Sequence, residues 1–344
     1  GKPSEWLYTC ELWAHSDCMP ATEGTMSSKK IDRILDLARW TGILTPTVAL
    51  SEPGYLLQVL LEEEKARFPD GLLFNPLCPA SRQAVRLMYL RLLLAAEGLW
   101  VFIIRKLIFL TDKGEAPRTR GRDSFLKAAV DALIESLGDI SDPEDTLEAR
   151  GITNFRKSLA ANTSTERNYL RPRLELLVDL DLIKRDASTS IHPGAFPWSV
   201  TSRTRKAAEA WTGLGADHES ISEYLDKRFF SSMADVYDVS LTAISDERVI
   251  LRWFATAFER IGRDMGFTPG RSVALFACLL AFEAGRLLEV EQVFNIVYDS
   301  AQSEWNQFLK FSGGSRFDRE FMIFVDTKFI AALDESLAAT PEQL

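Results

Sequence analysis

Four leucines, Leu170, Leu174, Leu177 and Leu180, constrain the fold of this chain more than any other feature. At about 3.6 residues per helical turn they stack on one side, so a helix here has to bury that stripe against other elements. Thr163 and Glu166 could form a capping box, but that start would drive Pro172 deep into the helix. A start at Asn168 leaves Pro172 within the first turn, where no intrahelical donor is needed. Arg167, Arg171, Glu175 and Val178 then fall on other faces. Leu182-Ile183-Lys184-Arg185 follows, then a Ser/Thr/Pro/Gly-rich stretch containing His192, Pro193 and Gly194, then Trp198-Ser199-Val200, a pattern of two short strands around a loop. Thr201 or Ser202 can cap a further helix carrying Arg203, Arg205 and Lys206.

Upstream, Phe125, Ala128, Ala129, Ala132 and Leu133 predict a helix from Asp123 to Leu137, ended by Gly138. Asp142 to Ala161 reads as one or two short helices broken at Gly151. This order resembles the winged-helix superfamily over residues 120–213. Tyr169-Leu-Arg-Pro-Arg-Leu-Glu-Leu-Leu-Val-Asp-Leu-Asp-Leu-Ile183 is similar to its recognition helix and exit, and Ser199-Val-Thr-Ser-Arg203 to its second wing strand. The resemblance implies that Arg167, Arg171 and Arg173 lie on a recognition helix for the DNA major groove and that Lys184 and Arg185 lie on the wing. Members often carry glycine where this chain has Asp181, at a helix exit that needs a left-handed backbone, and Asp tolerates that conformation better than most residues. A weaker echo spans residues 28–67. Ile31 to Leu44 has the same helix-then-exit order with Gly42 at the exit, Val48 to Gly54 resembles the returning strand and turn, and Tyr55 to Arg67 continues as a helix.

Charge supports a polyanion partner for the first of these segments. From Arg150 to Lys206 there are eleven basic and five acidic residues, +6, so the rest of the chain must carry -15 to reach the net -9. The nucleic-acid-binding set expected from this is Arg156, Lys157, Arg167, Arg171, Arg173, Lys184, Arg185, Arg203 and Arg205, with duplex DNA as the expected ligand. Arg171 and Arg173 are expected to be dispensable to the core, because the leucines carry the buried stripe. The alternative is a protein–protein scaffold that uses the winged helix for docking or dimerisation.

The remainder bounds the architecture. A chain of 344 residues exceeds the usual size of one hydrophobic core. The expected units are 1–72, a partial winged helix; 73–119, an apolar helical segment with an Arg-rich loop holding Arg118, Arg120 and Arg122; 120–213, the winged helix; and 214–344, an acidic helical domain for a protein partner or oligomer. The expected class is mainly α with short β-wings. In the last unit Val249, Trp253, Ala257 and Ile261 predict a helix capped near Ser245, Thr268-Pro269 begins another that ends near Gly285, and further helices cover Val290 to Leu309. Phe321 to Val325 reads as helix or buried strand.

The most apolar stretch, Leu99 to Leu110, is interrupted by Arg105 and Lys106, and polar residues stand at the N-terminus where a signal peptide would be apolar, so a cytoplasmic, non-membrane location is expected. Cysteines 10, 18, 78 and 278 form no disulfide framework. Cys278 shares a helical stripe with Leu275, Leu279 and Phe282 and reads as a core residue. Cys10, His15 and Cys18 lack a fourth ligand at zinc spacing, so neither metal nor cofactor is expected. There is no phosphate loop, dinucleotide fingerprint or nucleophile elbow. Asp318, Asp326 and Lys328 superficially resemble a metal-dependent nuclease pattern, which makes a weak third reading beside a non-enzymatic one. Glu63-Glu64-Lys65 offers the same tripeptide on a helix and reads as a solvated face.

Overall fold

The computed structural model describes residues 38–39, 42–45, 47, 49–67, 82–115, 125–137, 156–157, 170, 173–185, 198–214, 218–261, 266–312 and 322–339, and most of them are helical. α1 (Glu52–Arg67), α2 (Gln83–Ala96), α3 (Leu99–Asp112) and α4 (Phe125–Leu137) come first. α5, over 173–179, leads into the antiparallel pair β1 (Ile183–Arg185) and β2 (Trp198–Val200). α6 (Ser202–Ala210), α7 (His218–Lys227), α8 (Phe229–Tyr237) and β3 (Thr242–Ala243) follow. The chain continues through α9 (Glu247–Ile261), β4 (Thr268–Pro269), α10 (Gly270–Glu283), β5 (Arg286–Leu287) and α11 (Val290–Gln302). It closes with β6 (Leu309–Ser312), β7 (Met322–Val325) and α12 (Phe329–Ala338).

Two helices are apolar on nearly every side and form the centre. α2 buries Ala84 to Leu94 apart from Arg91, and α10 buries Val273 to Phe282, Cys278 included, without a break. Such helices must be enclosed, and they lie against each other within one apolar core that runs from Ile43 to Leu333. No single described helix is long and apolar enough to cross a membrane, and the apolar pair α2 and α3 is bent by 100° where they meet. Ion pairs tie the surrounding helices to this centre. Arg82 binds Glu63 of α1 and Glu283 of α10, while Arg91 and Arg271 share Asp226 of α7.

The C-terminal part departs from an all-helical expectation. Thr268 and Pro269 form strand β4, and the helix begins at Gly270, because β4 pairs with β7 in an antiparallel sheet of order β4-β7-β6. The run at Phe321 resolves as strand over Met322–Val325, with Ile323 and Val325 buried and Met322 and Phe324 half-buried. Asp246, next to Ser245, caps α9 through the Arg248 N–H at 2.9 Å. β3 and β5 add a short parallel pair.

α8 is a strut pinned at both ends. Its Tyr237 hydroxyl donates to the Leu180 carbonyl at 2.9 Å. At its start, the Phe230 and Ser231 N–H groups donate to the Glu289 carboxylate at 3.1 and 2.7 Å, and Glu289 also forms a capping box with Gln292 at the start of α11. Burial raises the Glu289 pKa above its ordinary 4.5, against the opposing effect of the Ser231 and Phe230 hydrogen bonds. The folded chain therefore holds this proton more tightly than the unfolded chain, and stability is lost as pH rises through the raised value. Glu289→Gln removes the titration. In urea unfolding, the stability gap should move in the variant's favour between about pH 4.5 and neutrality; a gap moving the other way would contradict burial as the dominant effect.

Candidate nucleic-acid interface

The segment expected to bind nucleic acid folds around the exit of α5. Leu170, Leu174, Leu177 and Leu180 are all buried, as their spacing requires. Asp181 adopts the left-handed conformation, φ 57°, and the Leu182 N–H closes onto the Leu177 carbonyl at 2.9 Å. This is a common way to end a helix, because it satisfies a carbonyl the helix leaves open. Asp181 pairs with Arg203 of α6 and lies 4.0 Å from Arg86 of α2. The chain then forms the β1-β2 hairpin, Ile183 opposite Val200 and Lys184 opposite Ser199. Thr201 caps α6, accepting from the Thr204 N–H at 3.2 Å and donating to the Leu182 carbonyl at the same distance.

The N-terminal echo repeats this lock. Gly42 is left-handed, φ 72°, and Leu44 bridges Leu50. Ser51 accepts from the Gly54 N–H at 3.0 Å and donates to the Ile43 carbonyl at 3.1 Å. Ser51 and Ile43 thus repeat the roles of Thr201 and Leu182. Gly54 is required there, since a Cβ on it would stand 2.1 Å from the Ile43 oxygen. The helix begins at Glu52, three residues before Tyr55, because Ser51 is its cap.

Among the described residues, the expected binding residues are not gathered on one open face. Arg173 is only 8% exposed. It donates to Glu97 at 2.8 and 3.2 Å, and its guanidinium lies 5.9 Å from the Trp100 ring centroid. This corrects the expectation that Arg173 is dispensable to the core. Every residue of α5 from Arg173 to Leu177 is buried, including Glu175, which pairs with Arg185 of β1 at 3.5 Å. The corner between α2 and α3 supplies Glu97 and Trp100 and covers the helix side on which Arg173 lies.

Arg156 pairs with Asp131 of α4, Arg203 with Asp181, Arg205 with Asp112 at 2.6 Å and Lys206 with Asp238. The Arg205 hydrogen bond lowers the Asp112 pKa, and the Lys206 hydrogen bond lowers that of Asp238. Lys157 and Lys184 are exposed and make no ion pair with a described residue. Arg167, Arg171, Arg118, Arg120 and Arg122 lie outside the described residues, as do Cys10, His15, Cys18, Cys78, His192 and Asp318. The sequence reading missed Glu97, Asp112, Asp131 and Asp238 as counter-ions, because all four lie outside the basic segment.

No group of three or more potential metal ligands occurs among the described residues. Asp326 accepts the Lys328 N–H at 2.8 Å and so caps its own turn ahead of α12. On the nuclease reading it would share a metal with Asp318. In the C-terminal part, α11 presents exposed Gln292, Asp299 and Gln302, and its half-exposed Glu291 lies 3.8 Å from the Lys227 ammonium. Asp299, which forms no ion pair with a described residue, gives that face one open negative charge. No family model, curated protein or solved structure matches this chain.

Removing Arg173 strands the largely buried Glu97 carboxylate. Arg173→Ala should cost about 3 kcal/mol in urea unfolding, as expected for breaking a mostly buried pair, whereas exposed Lys184→Ala should stay within about 0.5 kcal/mol of the parent. Equal stabilities for the two variants would show that Arg173 is not held as described.

Proposed function

We propose that this chain is a non-catalytic assembly subunit whose winged-helix-like units contact partner proteins rather than read duplex DNA. The carrying observation is the enclosure of α5: the helix in the recognition position is buried from Arg173 to Leu177 by other parts of the same chain. A major-groove helix needs an open face of side chains at base edges. The C-terminal order α9-β4-α10-β5-α11-β6-β7, with β5 paired to β3 outside the sheet β4-β7-β6, supports reading that part as a further helix-and-hairpin unit. Its α11 presents the open Asp299 carboxylate with the Gln292 and Gln302 amides, which suits a basic protein segment.

The full chain should therefore fail to retard duplex DNA at physiological salt. It should instead be recovered from its native host with a basic protein in fixed stoichiometry, and Asp299→Lys should release that protein without lowering the melting temperature. Duplex binding by the intact chain, with a steep fall in affinity as salt rises, would overturn the proposal, because that dependence reports counterion release from phosphates.

A further inference from the structure

One helix face carries cations that no described carboxylate answers. In α3, Lys106, Phe109 and Lys113 are spaced by three and four residues and so share one side of the helix. Phe109 is 48% exposed, and the Lys106 and Lys113 ammonium groups lie over its ring, 4.9 and 4.2 Å from the centroid. Neither lysine forms an ion pair with a described residue. Asp112 stands next to Lys113 but is held by Arg205 of α6. Arg156, Arg173, Arg185, Arg203 and Lys206, by contrast, all have carboxylate partners.

A complementary face lies on α11. Asp299 is exposed and forms no ion pair with a described residue, and Ile296, three residues earlier on the same side, is half-buried. Gln292, a further turn back, is exposed. Read backwards, 299, 296 and 292 step by three and four, as 106, 109 and 113 do forwards. Two such helices laid antiparallel bring Lys106 to Asp299, Phe109 to Ile296, and Lys113 to the Gln292 side-chain oxygen. Within one chain the faces are engaged elsewhere on their inner sides only: α3 packs on α4, α6 and β2, and α11 on α7, α9, α10 and β6.

We infer that the chain self-associates, with the Lys106–Phe109–Lys113 face of α3 in one copy docking antiparallel on the Ile296–Asp299 face of α11 in another. This contact depends on the docking role proposed above for α11 and adds a second copy of the chain as an occupant of that face. Charge and register select it together. A polyanion on α3 would also meet Asp112 and Glu115, both exposed beside the lysines, whereas one carboxylate with an aliphatic neighbour meets the cations and the ring alone. Because the two faces differ, a pair of copies makes the contact once, leaving a free face at each end, or twice about a two-fold axis. Each copy carries a formal charge of -9, so long-range repulsion opposes the contact, and physiological salt is the condition that screens it.

The test is sedimentation velocity of the full chain over a range of concentrations at physiological salt. Reversible, concentration-dependent association is expected. Phe109→Ser and Asp299→Lys should each weaken it about ten-fold or more, and both variants should melt with the parent. Mixed in equal amounts, at a concentration where each alone is monomeric, the two retain one intact contact, the α11 face of the first variant against the α3 face of the second. The mixture should therefore form a one-to-one dimer. A parent chain that stays monomeric at every concentration, association that neither variant weakens, or a mixture that forms no dimer would overturn the inference. A monomeric chain from which Asp299→Lys still releases a basic host protein would overturn self-association alone and leave the docking role of α11 standing.

Discussion

The carbonyl of Leu180 is the point on which the rest of the structure depends. It lies at the buried end of α5, where the helix can no longer supply a donor, and it receives Arg86 from α2 and the Tyr237 hydroxyl from α8, each at 2.9 Å. Burial pushes the Tyr237 pKa up to about 12, so the donor proton stays in place. One residue on, Asp181 turns left-handed and pairs with Arg203. A single helix exit thus joins the N-terminal helices, the hairpin unit and the strut to the C-terminal part. An unsatisfied buried polar group costs about 1–3 kcal/mol, so each partner helps hold the others.

Asp181 also explains how the chain tolerates a non-glycine residue at a left-handed position. At the equivalent exit in the N-terminal echo, Gly42 adopts φ 72° without a side chain to accommodate. Asp181 accepts a strained backbone, and its carboxylate is used by two arginines from elements distant in sequence. The two exits share the backbone geometry and the hydroxyl cap that follows, and differ in how the turn is stabilised.

The same tertiary contacts undo the apparent charge segregation. Eleven basic residues against five acidic ones is a property of the linear segment 150–206. In the folded chain, Glu97, Asp112, Asp131 and Asp238 arrive from outside it and pair with Arg173, Arg205, Arg156 and Lys206. Charge summed along a chain says little about potential at a surface, because opposite charges within hydrogen-bond reach cancel at distances beyond about a Debye length of 8–10 Å.

What the sequence by itself determined was local. The leucine stripe, the left-handed exit at Asp181, the two strands around residues 183 and 199, the Thr201 cap and the echo at Gly42 all depend on residues a few positions apart, and their periods and turn chemistry are legible one segment at a time. The strand at Met322–Val325 was not separable from a helix, because its identity depends on β4 and β6, which lie far away in sequence. The expected exposure of Arg173 was overturned, since an arginine at a stripe's margin is a surface cation or a buried one according to what packs beside it. Only the tertiary structure brought Glu97 and Trp100 to that place, because burial and ion pairing are properties of the elements a residue meets, not of its neighbours in the chain.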